Sequence, residues 1–245
     1  MIDELARMIT ESTATVFFGG AGVSTESGIP DFRSSAGIYS HKTYPYPVEH
    51  MISAEFFYAH PDQFYDFYFH EMIYSDAKPN AAHRALAKLE EMGKLKAVVT
   101  QNIDGLHQAA GSREVLELHG SIHRNRCTHC HTPYGLDMML AQQNVIPTCP
   151  KCHHLLKPEV VLYGEALNGE VMERSISYIA SAELLIVGGT SLVVYPAAGL
   201  LRYFKGRHLV LINRSQTSMD DLAEVVIHES IGEVMNKVME KLTTI

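Results

Sequence analysis

The sequence predicts an α/β protein in which a parallel β-sheet is covered by helices on both faces, with a smaller lobe attached. Short apolar runs typical of buried strands recur along the chain and alternate with segments of helical period. Two segments interrupt this alternation, and one of them contains all four cysteines. The predicted strands are Ala14–Phe18, Ala97–Thr100, Val115–Leu118, Val160–Tyr163, Leu184–Val187, Leu209–Ile212 and Glu224–Ile227.

Helical periodicity predicts the elements between these strands. The N-terminal stretch MIDELARMITES has an amphipathic pattern. Gly93 is placed to end the helix of Ala82, Leu86 and Leu89 as a C-cap. Apolar side chains at helical spacing mark three further helices, through Ala82, Leu86 and Leu89, through Met172, Ile176 and Ile179, and through Val234, Val238 and Leu242.

Two segments break the alternation and predict a second, smaller lobe. The first, from about Ser34 to Lys78, is rich in Tyr, Phe and His. The second, Ser121 to Lys157, holds the cysteines, with a short helical piece near Leu136–Gln142 between them. Both are expected to project from the same edge of the sheet.

All four cysteines form two Cys-x-x-Cys pairs. Eighteen residues separate the pair Cys127 and Cys130 from the pair Cys149 and Cys152. This arrangement is typical of a tetrahedral zinc site with four thiolate ligands. An iron–sulfur cluster and four ordinary reduced cysteines are the alternatives. Since four protein ligands leave no open position for water or substrate, we expect the zinc to be structural.

Composition indicates a globular protein and disfavours two kinds of partner. The 245 residues are 46% hydrophobic and 20% charged, with a formal net charge of −8. This acidic balance disfavours binding to a nucleic-acid backbone. No apolar run approaches the roughly 20 residues of a membrane span, and the N-terminus lacks the pattern of a signal peptide. Because the thiols are arranged for a metal, we expect a cytoplasmic protein.

A glycine-rich turn follows the first strand, in the segment FFGGAGVSTESGIPDFR. Gly19, Gly20 and Gly22 leave room for close backbone approach, and Ser24 and Thr25 can cap a following helix. Such a turn presents N–H groups to a phosphate. However, Thr25 occupies the third glycine position of the fingerprint G-x-G-x-x-G, and no acid follows in an obvious second strand. The pattern alone leaves a dinucleotide pocket and a tight turn open.

Polar residues also follow the next two predicted strands. Gln101, Asn102 and Asp104 come just after one strand, where open α/β sheets place ligand-binding groups. The alternative is a turn in which Asn and Asp serve as helix caps. His119 ends the next strand, on the same edge of the sheet as Asn102. A lone histidine is more often structural, but this placement makes His119 a candidate general base.

Two later strands end in a similar way. Gly188, Gly189, Thr190 and Ser191 form a phosphate-sized turn, and Asn213 carries an amide suited to ribose or adenine. Each could also be a capped loop. Polar or glycine-rich groups therefore close five successive strands at their carboxyl ends.

These motifs resemble those of the sirtuin family, the silent-information-regulator type of NAD-dependent protein-lysine deacylases. The matching pieces are GAGVSTESGIPDFR, TQNIDGLH, LHGS, the two Cys-x-x-Cys pairs, GTSLVVYP and INRS, in family order over nearly the whole chain. The short termini are similar to those of a bacterial or archaeal member. The resemblance implies a Rossmann-like NAD-binding domain (1–33, 79–120 and 158–245) and a small lobe. That lobe would comprise a helical module (34–78) and a zinc ribbon (121–157).

The resemblance also implies the site residues. NAD, as co-substrate, and acyl-lysine would enter the cleft between the lobes from opposite sides, and His119 and Asn102 would be catalytic. The implied NAD contacts are Ala21, Thr25, Phe32, Arg33, Gln101, Asn102, Ile103, Asp104, His119, Thr190, Ser191, Asn213, Ser230 and Ile231. The implied contacts to the substrate, bound as an added strand, are Val161, Tyr163, Gly164 and Val194.

The implied reaction consumes NAD while it removes an acetyl group from lysine. The weakly nucleophilic amide oxygen attacks C1′ of the ribose as nicotinamide leaves. Neutral His119 then deprotonates a ribose hydroxyl, which attacks the resulting imidate, and water releases lysine and O-acetyl-ADP-ribose. Relatives that prefer succinyl or malonyl groups resemble one another in a Tyr and an Arg of the helical module. Residues 61–77 contain no Arg or Lys, so we expect acetyl or a longer neutral acyl chain.

Two other functions compete with deacetylation of an acetylated lysine-containing protein or peptide. Protein ADP-ribosyl transfer would use the same activated C1′. A zinc protein that senses NAD or binds nucleic acid without catalysis is the third reading, which the acidic charge and the polar set at the cleft disfavour. We expect a monomer that contacts neither membrane nor nucleic acid directly.

Overall fold

The computed structural model describes residues 1–34, 37–41 and 44–243 of the chain. Residues 35–36 and 42–43, which belong to the predicted helical module, and residues 244–245 lie outside this description. The described strands are β1 (Thr15–Gly19), β2 (Leu95–Thr100), β3 (Val115–Glu117), β4 (Gly120–Cys127), β5 (Pro133–Gly135), β6 (Leu156–Val160), β7 (Leu184–Gly188), β8 (His208–Ile212) and β9 (Val225–Ile227).

The described α-helices are α1 (Ile2–Glu11), α2 (Ile38–His41), α3 (Val48–Met51), α4 (Ala54–Ala59), α5 (Pro61–Phe67), α6 (Ala81–Glu91), α7 (Leu106–Ala109), α8 (Leu136–Leu140), α9 (Gly169–Ser181) and α10 (Ile231–Thr243). Five of them were predicted from the sequence, namely α1, α6, α8, α9 and α10, and the others were not. A π-helical turn, Tyr68–Met72, continues α5. Short 3₁₀ turns lie at Ala21–Val23, Thr25–Ser27, Ala197–Tyr203 and Asp220–Leu222. Among these described helices, none is both long and apolar enough to cross a membrane.

Six of the described strands form one parallel sheet in the order β3-β2-β1-β7-β8-β9. Every residue of β1 and of β7 is buried, because helices cover both faces of the sheet. Successive side chains alternate between the faces, so Phe17 packs with α1, α6 and α10 while Phe18 packs with α9 and the Ala197–Tyr203 turn. The predicted parallel α/β architecture is therefore confirmed.

A smaller antiparallel sheet has the order β5-β4-β6. Its core is shared with the helices between α2 and the π-helical turn, where aromatic side chains such as Phe56, Phe64 and Tyr68 are fully buried. Cys127 and Cys149 are part of the same core. The segment that contains the cysteines and the aromatic-rich helices from α3 to the π-helical turn thus form one packed unit beside the large sheet.

The prediction of a parallel-sheet strand at Val160–Tyr163 was wrong. Val160 is the last residue of β6, which pairs antiparallel with β4, and Tyr163 makes only an isolated bridge to Ser53. β4 itself was not predicted, because its sequence GSIHRNRC is polar and its burial is irregular. An apolar pattern identifies strands buried on both faces and misses a strand of this kind.

The chain enters and leaves the small sheet at neighbouring positions. Gly120, the first residue of β4, pairs with Val160, the last residue of β6. A Cβ on Gly120 would lie 1.8 Å from the carbonyl oxygen of Glu159, and the Gly120 φ is +75°, so glycine is required there. The N–H of Val161 donates to the carbonyl of His119 at 2.9 Å. The two crossings are therefore hydrogen-bonded to each other next to His119.

Candidate functional site

A cavity of about 1090 Å³ opens at the carboxyl ends of the parallel strands and extends to the small sheet and its helices. It is lined by the residues that follow β1, β2, β3, β7 and β8. Open parallel sheets place their ligands at this edge. The predicted convergence of polar groups at five strand ends is thus found in three dimensions.

Almost every predicted site residue outside the cysteines lines this cavity. From the predicted NAD set these are Ala21, Thr25, Phe32, Arg33, Gln101, Asn102, Ile103, Asp104, His119, Thr190, Ser191, Asn213 and Ile231. From the predicted substrate set they are Val161, Tyr163, Gly164 and Val194. Ser230 is not part of the lining; its hydroxyl oxygen accepts hydrogen bonds from the guanidinium of Arg214, which does line the cavity. Their individual roles remain predictions.

The two glycine-rich turns pack directly on each other. The N–H of Gly22 donates to the carbonyl of Gly189 at 2.8 Å, and a Cβ on Gly22 would lie 2.7 Å from the Cα of Gly189. A Cβ on Gly20 would lie 2.8 Å from the Cβ of Thr190. Glycine is therefore needed so that the ends of β1 and β7 can approach each other, and the merged turn forms the floor of the cavity.

The expected helix cap after this turn was wrong. Ser24 precedes a short 3₁₀ turn that begins at Thr25, the described residues 21–34 contain no regular helix, and the Ser24 side chain does not cap the turn. The Thr25 hydroxyl donates to the carbonyl of Gly22 at 3.0 Å. The chain instead forms two 3₁₀ turns, Ala21–Val23 and Thr25–Ser27, and the Ser24 side chain makes a different contact.

Ser24 joins a buried polar network with Asn102 and Asp104. Its hydroxyl donates to Asp104 Oδ2 at 2.7 Å and accepts from Asn102 Nδ2 at 3.0 Å. The N–H of Leu106 donates to the other Asp104 oxygen at 2.9 Å. Burial raises the pKa of the Asp104 carboxyl, while the bonds from Leu106 and Ser24 act in the opposite direction. This network fixes the Asn102–Asp104 segment at the cavity wall.

The ring of His119 is oriented by the chain itself. His119 Nδ1 lies 3.0 Å from the carbonyl oxygen of Gln101. Because a carbonyl only accepts, we assign the proton to Nδ1, which leaves Nε2 as the basic nitrogen. Burial lowers the pKa of His119, and the bond to Gln101 opposes that shift. The ring is therefore neutral at neutral pH and able to accept a proton.

The Gln101 side chain links two strand ends. The Thr190 hydroxyl donates to Gln101 Oε1 at 3.0 Å, and the N–H of Leu192 donates to the Thr190 hydroxyl at 3.2 Å. Gln101 thus positions His119 through its main chain and the β7 turn through its side chain.

The predicted substrate segment runs across the mouth of the cavity. The N–H of Tyr163 donates to the carbonyl of Ile52 at 3.0 Å, and its carbonyl accepts from the N–H of Ala54 at 2.9 Å. Tyr163 is 40% exposed, and in the turn after β7 Val193 and Tyr195 are 53% and 75% exposed. Tyr163, Gly164, Val194 and Tyr195 all line the cavity, and we call the part of it next to them the peptide slot, where we expect an added peptide strand.

The four cysteines meet in one cluster. Their Sγ atoms all lie within 4.8 Å of one another, with 3.3 Å between Cys127 and Cys152 and 3.6 Å between Cys130 and Cys149. The four thiols are free of disulfides. Zn–S bonds of about 2.3 Å in a tetrahedron require sulfurs about 3.8 Å apart, so the cluster fits one zinc ion and is too small for a multi-iron cluster. The predicted zinc ligand set is thus assembled.

Comparison with known proteins agrees with this geometry. A family model described as "SIR2: Sir2 family" matches residues 20–196, which is more than half of the chain. The chain belongs to the Sir2 family. A protein of Clostridium acetobutylicum named NAD-dependent protein deacetylase is 56% identical over 239 residues, covering 97% of this Sir2 chain and 98% of the relative. A protein of the same name from Thermotoga maritima is 42% identical and covers 97% of each chain.

Solved structures extend the match to the whole Sir2 fold. A Sir2 structure with a p53 peptide and NAD+ has a TM-score of 0.87 at 40% identity and covers 100% of both chains. Another, with a deacetylated p53 peptide and 3′-O-acetyl ADP ribose, has a TM-score of 0.91 at 39% identity and covers 98% of both.

Several cavity residues of this Sir2 chain were not singled out from the sequence. Asp31 accepts the N–H groups of Arg33 and Ser34 at 3.0 and 2.7 Å, which shapes the loop that carries Phe32. The Pro30-Asp31 pair is a turn signal that could have indicated this. The Tyr39 ring lies edge-on to Phe32 and under the Arg33 guanidinium, and no local pattern marks that contact.

Proposed function

We propose that this protein removes acetyl groups from lysine side chains of proteins and consumes NAD, giving lysine, nicotinamide and O-acetyl-ADP-ribose. The main support for this activity is the neutral His119 ring, which is held in one orientation inside the cavity. The same cavity is lined by the merged glycine turn and includes the peptide slot. The names of the relatives, NAD-dependent protein deacetylase at 56% and 55% identity, support the same activity.

The donor set of the cavity suits NAD. The merged glycine turn leaves backbone close to a bound phosphate, and Ser191 and Asn213 offer polar groups to the adenosine half. NAD supplies the electrophilic C1′ that the acetyl oxygen attacks as nicotinamide leaves. Asn102 and Asp104, held by Ser24, would bind the nicotinamide riboside, and Phe32 would shield it from water.

His119 would act as the base through Nε2. The Gln101 carbonyl holds the proton on Nδ1, so the free nitrogen is available for the proton of a ribose hydroxyl. The carbonyl of His119 accepts a hydrogen bond from the N–H of Val161, which belongs to the predicted substrate segment. This bond would fix the position of the base relative to the peptide slot.

The acyl end of the cavity favours an uncharged group. The lining of the cavity as a whole includes the apolar residues Ile38, Ile52, Met72 and Ile122, and the segment 61–77 supplies no Arg or Lys as a counter-charge for a carboxylate. This apolar lining also supports a second candidate, removal of longer neutral acyl chains.

A kinetic comparison tests the proposal. We expect nicotinamide release to require both NAD and an acetyl-lysine peptide, with acetyl preferred over succinyl. His119→Ala should lose turnover and still bind NAD, whereas His70→Ala, at an exposed position of the π-helical turn, should match the wild type. Full turnover by His119→Ala would contradict the assignment of His119 as the base. ADP-ribose left on protein without an acylated substrate would indicate transfer instead.

We also propose a monomeric cytoplasmic protein that binds neither membrane nor nucleic acid. Free thiols gathered around one metal position support a reducing compartment, and the net charge of −8 opposes a phosphate backbone. We further propose the division into a large domain (1–33, 79–120, 158–245), a helical module (34–78) and a zinc module (121–157). The shared core of the latter two supports grouping them as one small lobe beside the large domain. Light scattering of the purified protein tests the oligomeric state.

A further inference from the structure

The N-terminus of α10 is capped by a residue from a distant part of the chain. Ser230, which precedes the helix, is the position where a hydroxyl ordinarily caps the first turn. Here the Ser230 hydroxyl oxygen instead accepts from Arg214 Nε and Nη2 at 3.1 and 2.8 Å. The N–H of Gly232 donates to a carboxylate oxygen of Glu26 at 2.7 Å, across a separation of 206 residues.

The contact is close enough that a side chain at position 232 would require the Glu26 carboxylate to move. A Cβ on Gly232 would lie 2.7 Å from both carboxylate oxygens of Glu26. A carboxylate at this end of a helix also interacts favourably with the helix dipole. Glu26 is thus seated on α10, and the turn that carries it is fixed there.

The same turn is held from the other side by Asn80, the N-cap residue of α6. Asn80 Nδ2 donates to the carbonyl of Val23 at 2.7 Å and to the Ser27 hydroxyl at 3.0 Å. Its Oδ1 accepts the N–H of Ala82 at 2.9 Å. The segment between β1 and Gly28 is therefore clamped between the first turns of two helices.

We propose that Glu26 is a positioning residue for NAD. It ties Thr25, on the floor of the cavity, to Ile231, at the wall where the adenosine half is expected, and so sets the width of the cavity between them. This inference rests on the proposed function for the identity of the ligand. Glu26 itself lines the cavity, and its hydrogen bond joins two segments that carry predicted NAD contacts, so we expect it to act on NAD binding and to leave the acyl-transfer step unchanged.

Steady-state kinetics with separately varied NAD and acetyl-peptide test the role. Without this bond the turn and α10 are no longer held at a fixed separation and must be ordered when NAD binds, so we expect Glu26→Ala to raise the KM and Kd for NAD about tenfold. The kcat and the KM for peptide should stay within about twofold, as for a lost binding interaction that the ground state and transition state share. Glu26→Gln keeps an acceptor oxygen and should restore most of the affinity.

Glu233→Ala is the matched control. Glu233 is exposed in the first turn of α10, so its removal changes the charge at the same helix end without breaking the tether. Direct NAD binding by calorimetry separates the two proposals. An unchanged NAD Kd in Glu26→Ala overturns the positioning role even if deacetylation occurs. Weakened NAD binding in a protein that deacetylates nothing would refute only the proposed function. Equal effects of Glu26→Ala and Glu233→Ala would reduce the role to general electrostatics and overturn it.

Discussion

Removal of the Ser24 hydroxyl should destabilise the protein more than an ordinary serine substitution. Ser24 is 1% exposed, and its hydroxyl is both the donor to Asp104 and the acceptor for Asn102. Ser24→Ala leaves the carboxylate without that donor and the amide without that acceptor. A hydrogen bond to a charged group contributes about 1.5–3 kcal/mol, and a buried unsatisfied donor costs about 1–3 kcal/mol.

These two contributions share one hydroxyl and do not add fully, so we expect a loss of about 3 kcal/mol in the free energy of unfolding. For a chain of 245 residues this corresponds to a decrease in Tm of about 6–12 °C. Thermal melts followed by circular dichroism at neutral pH measure it, and urea titration gives the free energy independently.

Ser181→Ala is the matched control for this prediction. Its hydroxyl is exposed on α9 and donates only to carbonyls of its own helix, those of Ser177 and Tyr178. Its Tm should stay near that of the wild type. In an Asp104→Asn background, Ser24→Ala should cost at least about 1 kcal/mol less, because the charge it serves is gone. If Ser24→Ala has the same Tm as the wild type, the network of Ser24, Asn102 and Asp104 does not contribute this stability.

Three further predictions concern the metal, the base and the acid stability of the fold. Chelation of zinc, or Cys127→Ser, should abolish deacetylation while far-UV circular dichroism retains the signal of the parallel sheet; a fully active metal-free protein would contradict this. Because burial lowers the pKa of His119 below 6.5 and only its neutral form accepts a proton, kcat/KM, which reports the free protein, should be flat near neutrality and fall in acid; a midpoint above 6.5 would contradict the assignment. Burial lowers the pKa of His83 to about 4 and of His107 to about 3. Below pH 6.5 and above these pKa values the unfolded chain therefore binds more protons than the folded one, so the free energy of unfolding decreases as the pH decreases. His107→Phe should flatten this fall in denaturation midpoints between pH 7 and pH 4.5, and an unchanged slope would count against the buried histidines as its source.

Much of the fold could be predicted because its strands are buried on both faces. The apolar runs of β1, β7 and β8 carry that environment in the sequence itself, as do the helical spacings of α6 and α10. The four cysteines and the polar strand ends were predictable for a similar reason, since spacing and strand position together place them. A polar strand such as β4 has no apolar run or regular alternation in its sequence from which it could be predicted.

The contacts that tune the site could not be predicted from local pattern. Ser24 reaches Asp104 over 80 residues, Thr190 reaches Gln101 over 89, and Glu26 reaches Gly232 over 206. Each pair depends on how strands are ordered across the sheet, and the sequence around each partner is compatible with an ordinary cap or turn. Such contacts become visible only when the strand ends are brought together.

The chain enters the small sheet at Gly120 and leaves it at Val160, and the pairing of these two residues affects which sequence changes the fold can tolerate in evolution. The segment between them begins and ends at one hydrogen-bonded pair, so its length is independent of the spacing of the large sheet. Closing a longer loop from a fixed pair of ends adds little entropy cost, since that cost grows only with the logarithm of length. The connection therefore permits changes in the length of this segment, whereas its buried residues must still match the core that they share with Phe56, Phe64 and Tyr68. Its exposed loops are the part of the small lobe that can vary in length while the parallel sheet stays unchanged.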